Sequence, residues 1–477
     1  MNDNEKKRKI TDTTCAPMLA IGLMSGTSLD GIDASIIYTD GEKIIDLGAC
    51  IEIKMPKNLR ERLLDLSIKC RTDINFAREC AQKQLDDRNS DEIKKLEIEL
   101  TELHAKAVNN LLAEHRKNMA ENPEYLSKIQ QNNSNNNQNV RDETKVSIIG
   151  FHGQTIFHYP KTDNKSQTES RFTWQLGDGK LLSKLSGIKV VSQFRYQDVK
   201  AGGEGAPLAP LYHVARLKSN LNGKDDHQTN MNKRTKVAYY RFGDSLDNNY
   251  KNKAMKNRNA KASNLIVPTA IVNIGGVSNV TFVRSGDKPP LAFDCGPGNA
   301  LIDDWVRFKT NNSKNFDQNG EFACDGKIHE DIINHALHAH GRYLSQMPPK
   351  SLDRNEFQNL YENVSSEELS VEDGAATLTR FTASCIALAV RFLDKEDIPK
   401  KWLICGGGRK NQTLMQHLKE ELCTTEIINV DKLGWRGDAV EAECFGYLAV
   451  RVFYDKFTSL PSTTNCKNPV CGGIIDE

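Results

Sequence analysis

The sequence predicts an α/β protein built from two similar halves. Apolar, β-rich runs broken by turns of small residues occur near the start of the chain, at 20–37, and again at 270–283. Amphipathic segments with the three- and four-residue spacing of helices lie between and after these runs. Because the strand–turn–strand plan occurs twice, and two copies are too few for a solenoid, we expect a duplicated α/β unit.

Composition narrows the classes of protein. The 477 residues suffice for two or three domains, and 64 Lys and Arg against 63 Asp and Glu leave a net charge of +1. That balance argues against a dedicated nucleic-acid or membrane-surface binder. No stretch approaches the roughly 20 apolar residues of a membrane span. Twelve cysteines without a CxxC pair indicate reduced thiols, so we predict a cytoplasmic protein.

The first half is predicted to be an N-terminal lobe at 17–268, preceded by a disordered leader at 1–16. It opens with a three-stranded meander, followed by one amphipathic helix and two further strands. The three meander strands are at 18–24, 32–38 and 44–53, the helix is at 90–112, and the later strands are at 146–151 and 188–192. Polar, low-apolar stretches at about 131–140 and 219–264 are predicted to be insertions.

The second half is predicted to be a C-terminal lobe at 269–477. It repeats the hairpin, continues with a short apolar run at 291–293, and then alternates helices with buried strands. The helices are predicted at 300–308, 327–338, 370–394 and 437–452, and the strands at 402–405 and 426–430.

Four glycine-rich turns each follow an apolar strand, at 26–31, 275–276, 294–298 and 406–408. Glycine lets backbone N–H groups close around an anion, and neighbouring hydroxyl groups add donors. Four such turns predict binding of nucleotide phosphates, although none has the spacing of a Walker A or dinucleotide motif. The carboxylates of Asp30, Asp33 and Asp294 could hold Mg²⁺, which prefers oxygen ligands.

Two polar residues stand where strands end. Asp198 lies past a strand and before the turn at 202–203, a place where a carboxylate can act as a general base. On position alone, a capping or loop role for Asp198 is favoured. His152 follows another strand beside Gly153, which suits a site residue, although a lone histidine carries little weight.

These motifs together resemble the anhydro-N-acetylmuramic acid kinase family and the related levoglucosan kinases, within the sugar kinase/actin-like superfamily. The matching segments are GLMSGTSLDGIDAS (22–35), GFHGQTIFH (150–158), FRYQDVKAGGEGAPLAP (194–210), NIGGVSNVTF (273–282), FDCGPGNALID (293–303), PPK (348–350), LICGGGRKN (403–411) and GDAVEA (437–442). The resemblance implies a two-lobed actin/hexokinase-like fold with duplicated ribonuclease H-like sheets and an ATP cleft between the lobes.

The resemblance also implies a reaction and a set of residues. Water, activated by Asp198, would open a 1,6-anhydro sugar, and the released O6 would take the γ-phosphoryl group of ATP. The ATP-binding residues would be Gly26, Thr27, Ser28, Leu29, Asp30, Gly31, Ile32, Asp33, Gly275, Gly276, Asp294, Gly296, Gly298, Asn299, Gly406, Gly407 and Gly408. The metal ligands would be Asp30 and Asp294, and the substrate residues His152, Gly153, Gln154, Arg195, Arg354 and Glu356. Family members resemble homodimers, so a homodimer is expected.

Departures from the family pattern keep alternatives open. Gln193, Glu204 and the pair Leu352-Asp353 stand where the family usually has Asp, Gln and Thr-Gly, all near the expected sugar pocket. The predicted substrate is 1,6-anhydro-N-acetylmuramic acid, since the motifs are closest to that family. Levoglucosan, giving glucose 6-phosphate, is the alternative substrate. A non-catalytic ATP-binding sensor and an RNA-associated protein acting through 219–264 are the alternative classes.

Overall fold

The computed structural model describes residues 15–26, 28–85, 90–121, 145–159, 171–219, 268–286, 288–352, 357, 360, 368–423 and 426–477. The predicted leader up to residue 14, the insertion at 131–140 and residues 220–264 of the second insertion lie outside these ranges, as do the site candidates Thr27, Arg354 and Glu356. No helix within these ranges is both long and apolar enough to cross a membrane.

The strands of the described chain number twelve. They are β1 (Met18–Ser25), β2 (Gly31–Thr39), β3 (Ile44–Lys54), β4 (Ile148–Tyr159), β5 (Phe172–Leu176), β6 (Lys189–Ser192), β7 (Thr269–Ile274), β8 (Val277–Val283), β9 (Leu291–Pro297), β10 (Lys401–Cys405), β11 (Glu426–Asn429) and β12 (Ile474–Asp476). All but β5 and β12 coincide with runs that the apolar pattern predicts to be strands.

The described helices lie mostly between these strands. They are α1 (Lys57–Thr72), α2 (Ile74–Leu85), α3 (Asp91–Glu121), α4 (Gly179–Ser186), α5 (Tyr196–Lys200), α6 (Pro210–Lys218), α7 (Ala300–Lys309), α8 (Glu321–Asp325), α9 (Glu330–Ala339), α10 (Gly341–Ser345), α11 (Val371–Leu388), α12 (Gln412–Glu421), α13 (Val440–Phe453) and α14 (Pro461–Thr464). Helix α11 begins as expected, where the Ser370 side chain accepts a hydrogen bond from the Asp373 amide.

Two mixed sheets with the same plan organise the molecule. The first runs in the order β12-β6-β4-β1-β2-β3, with β5 paired to β4, and the second in the order β11-β10-β7-β8-β9. In both, three antiparallel strands are followed by two parallel ones, because β1 pairs β4 and β7 pairs β10 in parallel. The predictions of an α/β class and a duplicated unit are confirmed.

Each half of the chain lends a helix to the other half. Helix α13 follows the second sheet, yet it packs on β1, β2 and β4 of the first. Helix α6 follows the first sheet and contacts β8 of the second, where His213 Nδ1 lies 2.8 Å from Thr281 Oγ1. The lobe boundary at 268/269 stays a prediction, and these two helices tie together the residues on either side of it.

Helix α13 approaches the first sheet at backbone distance. Gly22 of β1 and Gly150 of β4 are register partners beneath it. A Cβ atom at Gly22 would overlap the carbonyl oxygen of Ala442, and one at Gly150 would overlap that of Phe445. Glycine is needed here because only a residue without a side chain admits so close a contact. We call this contact the glycine seam.

Candidate active site

The first glycine turn, between β1 and β2, presents polar groups to solvent. Leu29 N donates to Gly26 O over 3.1 Å, and Leu29 has a φ of 55° and a buried side chain. Ser28 Oγ donates to Asp30 Oδ1 over 2.8 Å, and both residues are exposed. The turn therefore anchors itself through Leu29 and leaves a hydroxyl and a carboxylate free to meet a ligand.

Residues after this turn return to the sheet. Gly31 lies against β3, where a Cβ would come 2.8 Å from Ile53 O, and Ile32 is fully buried. Asp33 is half-buried, and burial raises its pKa to about 7, with further contributions from the charges of Glu52, Glu441 and Asp30. Negative charge is therefore concentrated behind the first turn.

The end of β4 supports the first turn from the side. Gln154 Nε2 donates to Gly26 O over 3.2 Å, and Ser25 Oγ donates to Gly153 O over 3.4 Å. Gly153 has a φ of 74°, a value that favours glycine. The predicted substrate residues Gly153 and Gln154 thus contact the predicted phosphate-binding turn.

The glycine turns of the second sheet converge on one point, near Asn299. Asn299 N donates to Gly275 O over 2.7 Å, and Gly298 N donates to Gly276 O over 3.0 Å. A Cβ at Gly298 would overlap Gly275 O, and a Cβ at Gly407 would lie 3.7 Å from Asn299 Nδ2. The structure therefore brings together the neighbouring turns at 275–276 and 294–298 and a third, at 406–408, that follows more than a hundred residues later in the sequence.

Gly406 and Gly408, the other two glycines of the turn at 406–408, also pack near Asn299 and the end of β7. A Cβ at Gly406 would come 2.6 Å from Ile274 O, and one at Gly408 would lie 3.2 Å from Asn299 Oδ1. Gly296 is the exception among the predicted residues. A Cβ there would come 2.5 Å from Cys385 Cβ in α11, so its small size serves helix packing.

Asn273 and Glu441 connect this second group to helix α13. Asn273 Nδ2 donates to Glu441 Oε1 over 2.8 Å. Burial, the largest effect, raises the pKa of Glu441, and the charge of Asp30 raises it further. The hydrogen bond from Asn273 and the charge of Arg195 oppose this rise. Glu441 therefore bonds to the second sheet through the neutral Asn273, while the charges that act on its carboxylate, those of Arg195 and Asp30, come from the first half of the chain.

A buried carboxylate, Asp198, sits in the short helix α5. Its Oδ1 accepts hydrogen bonds from Ser459 Oγ and, over 2.6 Å, from Thr464 Oγ1. Its Oδ2 accepts from Gly205 N over 2.7 Å. The glycine-rich run after α5 is explained by this carboxylate, because a Cβ at Gly203 would overlap Oδ2 and Gly205 has a φ of 73°.

Arg195 links Asp198 to His152. Arg195 Nη1 donates to Gly205 O over 2.7 Å, and Arg195 Nε donates to His152 Nε2 over 2.9 Å. Burial, then the positive charge of Arg195, holds the pKa of His152 well below its usual value. A neutral imidazole that accepts at Nε2 has its proton on Nδ1, where Gly153 O lies 2.7 Å away. The guanidinium of Arg195 is thereby fixed between His152 and Gly205.

Asp294 faces a different set of partners from Asp30. Its Oδ2 accepts from Leu352 N over 2.8 Å and from Ser351 Oγ over 3.3 Å. Ser351 Oγ also lies 3.3 Å from His158 Nε2. Burial of the imidazole ring lowers the pKa of His158 to about 3. Burial raises the pKa of Asp294 to about 6, against the opposing effect of the hydrogen bonds from Leu352 and Ser351.

Lys350 holds the segment that binds Asp294. Its backbone oxygen accepts from Asp294 N over 3.0 Å. Its buried Nζ donates to Tyr343 O over 2.7 Å and lies 4.4 Å from the centre of the Tyr343 ring. Burial lowers the pKa of Lys350 to about 8. This lysine is therefore a structural cation that fixes residues 350–352 against β9.

We expect Asp294→Asn to raise the free energy of unfolding at pH 7 by about 3 kcal/mol, since folding raises the pKa of Asp294 from 3.8 to about 6 and one pKa unit corresponds to ~1.4 kcal/mol. A carboxylate whose pKa is raised by folding costs stability above pH 6, and this cost disappears as the pH falls towards the usual value of 3.8. The advantage of the variant should therefore vanish below about pH 4. Chemical denaturation without ATP or metal measures it.

Asp397→Asn is the matched control for that experiment. Burial alone would raise the pKa of Asp397, but hydrogen bonds from Lys288 and Ser285 lower it below its usual value. This variant should lose stability at pH 7. A loss of stability in Asp294→Asn as well would contradict the assignment of Asp294 as a carboxylate that opposes folding.

Several residues that contact this site were not predicted from the sequence. Ser459 and Thr464 contact Asp198 from more than 250 positions away, and no local pattern marks either hydroxyl. Glu441 and Ser351 lie within or beside the motifs GDAVEA and PPK, so those motifs were a usable signal for them. Glu204, one of the departures, is buried and pairs with Arg171 Nη2 over 3.2 Å.

Sequence comparison places this arrangement among known proteins. The family model described as "Anhydro-N-acetylmuramic acid kinase" matches residues 18–136, 131–225 and 254–476. An anhydro-N-acetylmuramic acid kinase of Paramagnetospirillum magneticum is 35% identical over 457 residues, covering 96% of this chain and 99% of the relative. Its counterpart in Brucella anthropi is 36% identical over 461 residues, with the same coverage.

One solved structure resembles the chain remotely. The ADPNP-bound activator of the 2-hydroxyisocaproyl-CoA dehydratase from Clostridium difficile aligns with a TM-score of 0.36 and 11% identity, covering 92% of this chain and 96% of that one.

Proposed function

The chain belongs to the anhydro-N-acetylmuramic acid kinase family, a family of phosphotransferases, and from that premise we propose that its substrates are ATP and 1,6-anhydro-N-acetylmuramic acid. The product would be N-acetylmuramate 6-phosphate. One observation carries the proposal: a buried carboxylate, Asp198, is held by three hydrogen-bond donors. Arg195 beside it is linked through His152 and Gly153 to Ser25, next to the first glycine turn.

The proposed reaction couples ring opening to phosphoryl transfer. Asp198 takes a proton from water, and the water oxygen attacks the anomeric carbon of the sugar. The bond from that carbon to the bridging O6 breaks, so that O6 leaves with the electron pair. O6 then forms a bond to the γ-phosphorus of ATP, and the bond to the β,γ-bridging oxygen breaks to release ADP. The proton held by Asp198 returns to solvent.

The chain offers donors for each charged group in this sequence. Backbone amides of the turns at 26–31, 275–276 and 406–408 suit phosphate oxygens, since glycine permits the close approach. Arg195, held between His152 and Gly205, places a fixed positive charge beside the base. Preorganised charge of this kind is the main contribution that a protein makes to phosphoryl transfer.

We propose that Asp294, Ser351 and His158 face the sugar, together with the predicted substrate residues His152 and Arg195. Asp294, Ser351 and His158 form one hydrogen-bonded series. Burial and, to a smaller extent, the charge of Arg195 lower the pKa of His158. Arg354 and Glu356 follow the segment fixed by Lys350 and stay predictions for sugar contacts.

The donor set also fits Mg²⁺. Within the described ranges, no group of three or more His, Cys, Asp or Glu side chains could hold a metal by itself. Mg²⁺ usually takes one or two carboxylates together with substrate phosphates and water. Asp30 is exposed on the first turn, and its charge helps to raise the pKa of Asp33, so a cation there would relieve repulsion. We propose that Asp30 and, from the opposite sheet, Asp294 serve Mg²⁺, which would neutralise charge on the phosphates.

Two further predictions stay proposals. The family resemblance supports a homodimer, and the composition supports a cytoplasmic location. Neither nucleic acid nor a membrane is proposed as a partner.

The test is ADP release from ATP with Mg²⁺ and the purified chain. Four sugars are compared: 1,6-anhydro-N-acetylmuramic acid, levoglucosan and their open reducing forms. We expect turnover with 1,6-anhydro-N-acetylmuramic acid alone, and one phosphate on O6 of the product.

Each other outcome has a definite meaning. Turnover with levoglucosan alone would reassign the substrate, and turnover with only the open sugars would remove water activation from the mechanism. Binding of ATP without turnover of any sugar would establish a non-catalytic nucleotide sensor and overturn the proposal.

A further inference from the structure

The last described residues, 458–477, fold back onto the first sheet, and we call them the C-terminal strap. Strand β12 pairs antiparallel with β6, and Ser192 Oγ donates to Asp476 Oδ2 over 2.7 Å. At the other end of the strap, Gly472 N donates to Thr458 Oγ1 over 2.7 Å. The second hydrogen bond lies within the strap and closes it into a loop, and this loop is fastened to the first sheet through β12.

Those residues reach the base. Ser459 and Thr464 both donate their hydroxyl hydrogens to Asp198 Oδ1, and both side chains are buried. Glu204 N donates to Thr464 O over 2.6 Å, which ties the strap to the glycine-rich run around Asp198. The strap thus forms the wall behind the catalytic carboxylate.

The number of donors on each oxygen is informative. A carboxylate oxygen offers about two lone-pair positions. Oδ1 of Asp198 receives two hydroxyl groups, while Oδ2 receives one amide, from Gly205. Among the residues that the structure describes, one lone pair therefore remains without a donor, on Oδ2, and the partners of Oδ1 determine the direction in which it points.

We propose that Ser459 and Thr464 are positioning residues for the reaction: their hydroxyl groups fix the Asp198 carboxylate and aim Oδ2 at the attacking water. This inference rests on the proposed role of Asp198 as the base. Fixing one oxygen removes the rotation that would turn the free lone pair away from the substrate.

The experiment measures kcat and KM for the anhydro sugar and for ATP in Ser459→Ala and Thr464→Ala. We expect kcat to fall about tenfold in each single variant and about a hundredfold in the double variant, because Asp198 is no longer held in one orientation; such losses lie within the range of general base catalysis. KM for ATP should not change.

Thr463→Ala is the matched control, since Thr463 lies in the same helix α14 and is equally buried. Its Oγ1 donates to Leu460 O over 3.0 Å and accepts from Leu460 N over 3.1 Å. This variant should keep the wild-type kcat. Thr464→Ser, which retains the donor, should restore the kcat that Thr464→Ala loses.

The outcomes separate this inference from the proposed function. An unchanged kcat in both alanine variants, with Asp198→Asn inactive, would overturn the role of the strap alone. Activity in Asp198→Asn would overturn the base itself. Should Thr464→Ala fail to fold, Ser459→Ala decides by the same criterion, since Ser459 donates to the same oxygen. A kcat in Thr463→Ala that falls as far as in the other variants would reduce the effect to packing.

Discussion

Asp198→Asn should lower kcat by about 10³–10⁴-fold, the upper part of the range for loss of a general base. The amide cannot take a proton from water at any pH of interest. Affinity for ATP should survive, because the glycine turns that suit the phosphates make no use of the Asp198 side chain. ADP release with the anhydro sugar measures the first effect, and calorimetric titration with ATP measures the second.

The structure indicates that this variant will fold. An asparagine can direct its oxygen to Gly205 N and its amino group to Ser459 and Thr464, because a hydroxyl group accepts as readily as it donates. Asp397→Asn is a control with similar surroundings, since Asp397 is also buried and accepts from a serine hydroxyl and a backbone amide. It should keep wild-type kcat. Retention of more than a tenth of the activity in Asp198→Asn would remove Asp198 from the mechanism.

Gly22→Ala should destabilise the protein by about 3 kcal/mol, near the upper end of the usual cost of overpacking. The new methyl group would overlap Ala442 O and lie 2.5 Å from Gly446 N. Both obstacles are backbone atoms of α13, so no side-chain rotation can relieve them. Helix α13 would move away from the sheet and take Glu441 with it, so ATP turnover should fall as well. Thermal denaturation and ADP release measure the two effects.

Gly341→Ala is the matched control for the glycine seam. Gly341 begins helix α10, and a Cβ there would meet no atom within 4 Å. Its effect on stability should stay within about 0.5 kcal/mol, as for most surface substitutions. A Gly22→Ala protein that unfolds at the wild-type temperature would show that α13 does not press on β1 in solution.

Much of the fold could be predicted because strands in this protein are strongly apolar. Strands β1 and β7, with buried side chains throughout, are plain in the sequence. Helix α1 was missed although Leu59, Leu63, Leu66 and Cys70 repeat at helical spacing on its buried face. Strand β12 could not be predicted, because it has three residues and exists through pairing with β6.

The site divides in the same way. A glycine turn can be recognised from the local sequence. Most of the predicted phosphate-binding residues therefore lie in the two groups of turns that the structure contains. Contacts made across the fold leave no such trace. In the sequence, neither Thr464 nor Ser459 can be distinguished from a hydroxyl residue on the surface. Their contacts with Asp198 exist only when β12 and the strap are in place. The convergence of Gly275, Gly298 and Gly407 on Asn299 likewise depends on how the second sheet closes.

The position of α13 and the C-terminal strap has a consequence for biosynthesis. A ribosome makes about 5–20 residues per second, so the interval between β6 and α13 is on the order of 10–50 s. During that time β1, β4 and β6 have been translated, but the helix and the edge strand that complete their sheet have not. The apolar side of a nascent sheet is an aggregation hazard and a natural substrate for chaperones. A chain released before residue 458 would carry the glycine turns of both sheets without the hydroxyl donors on Asp198. Translation of the strap is therefore the step that makes the enzyme competent.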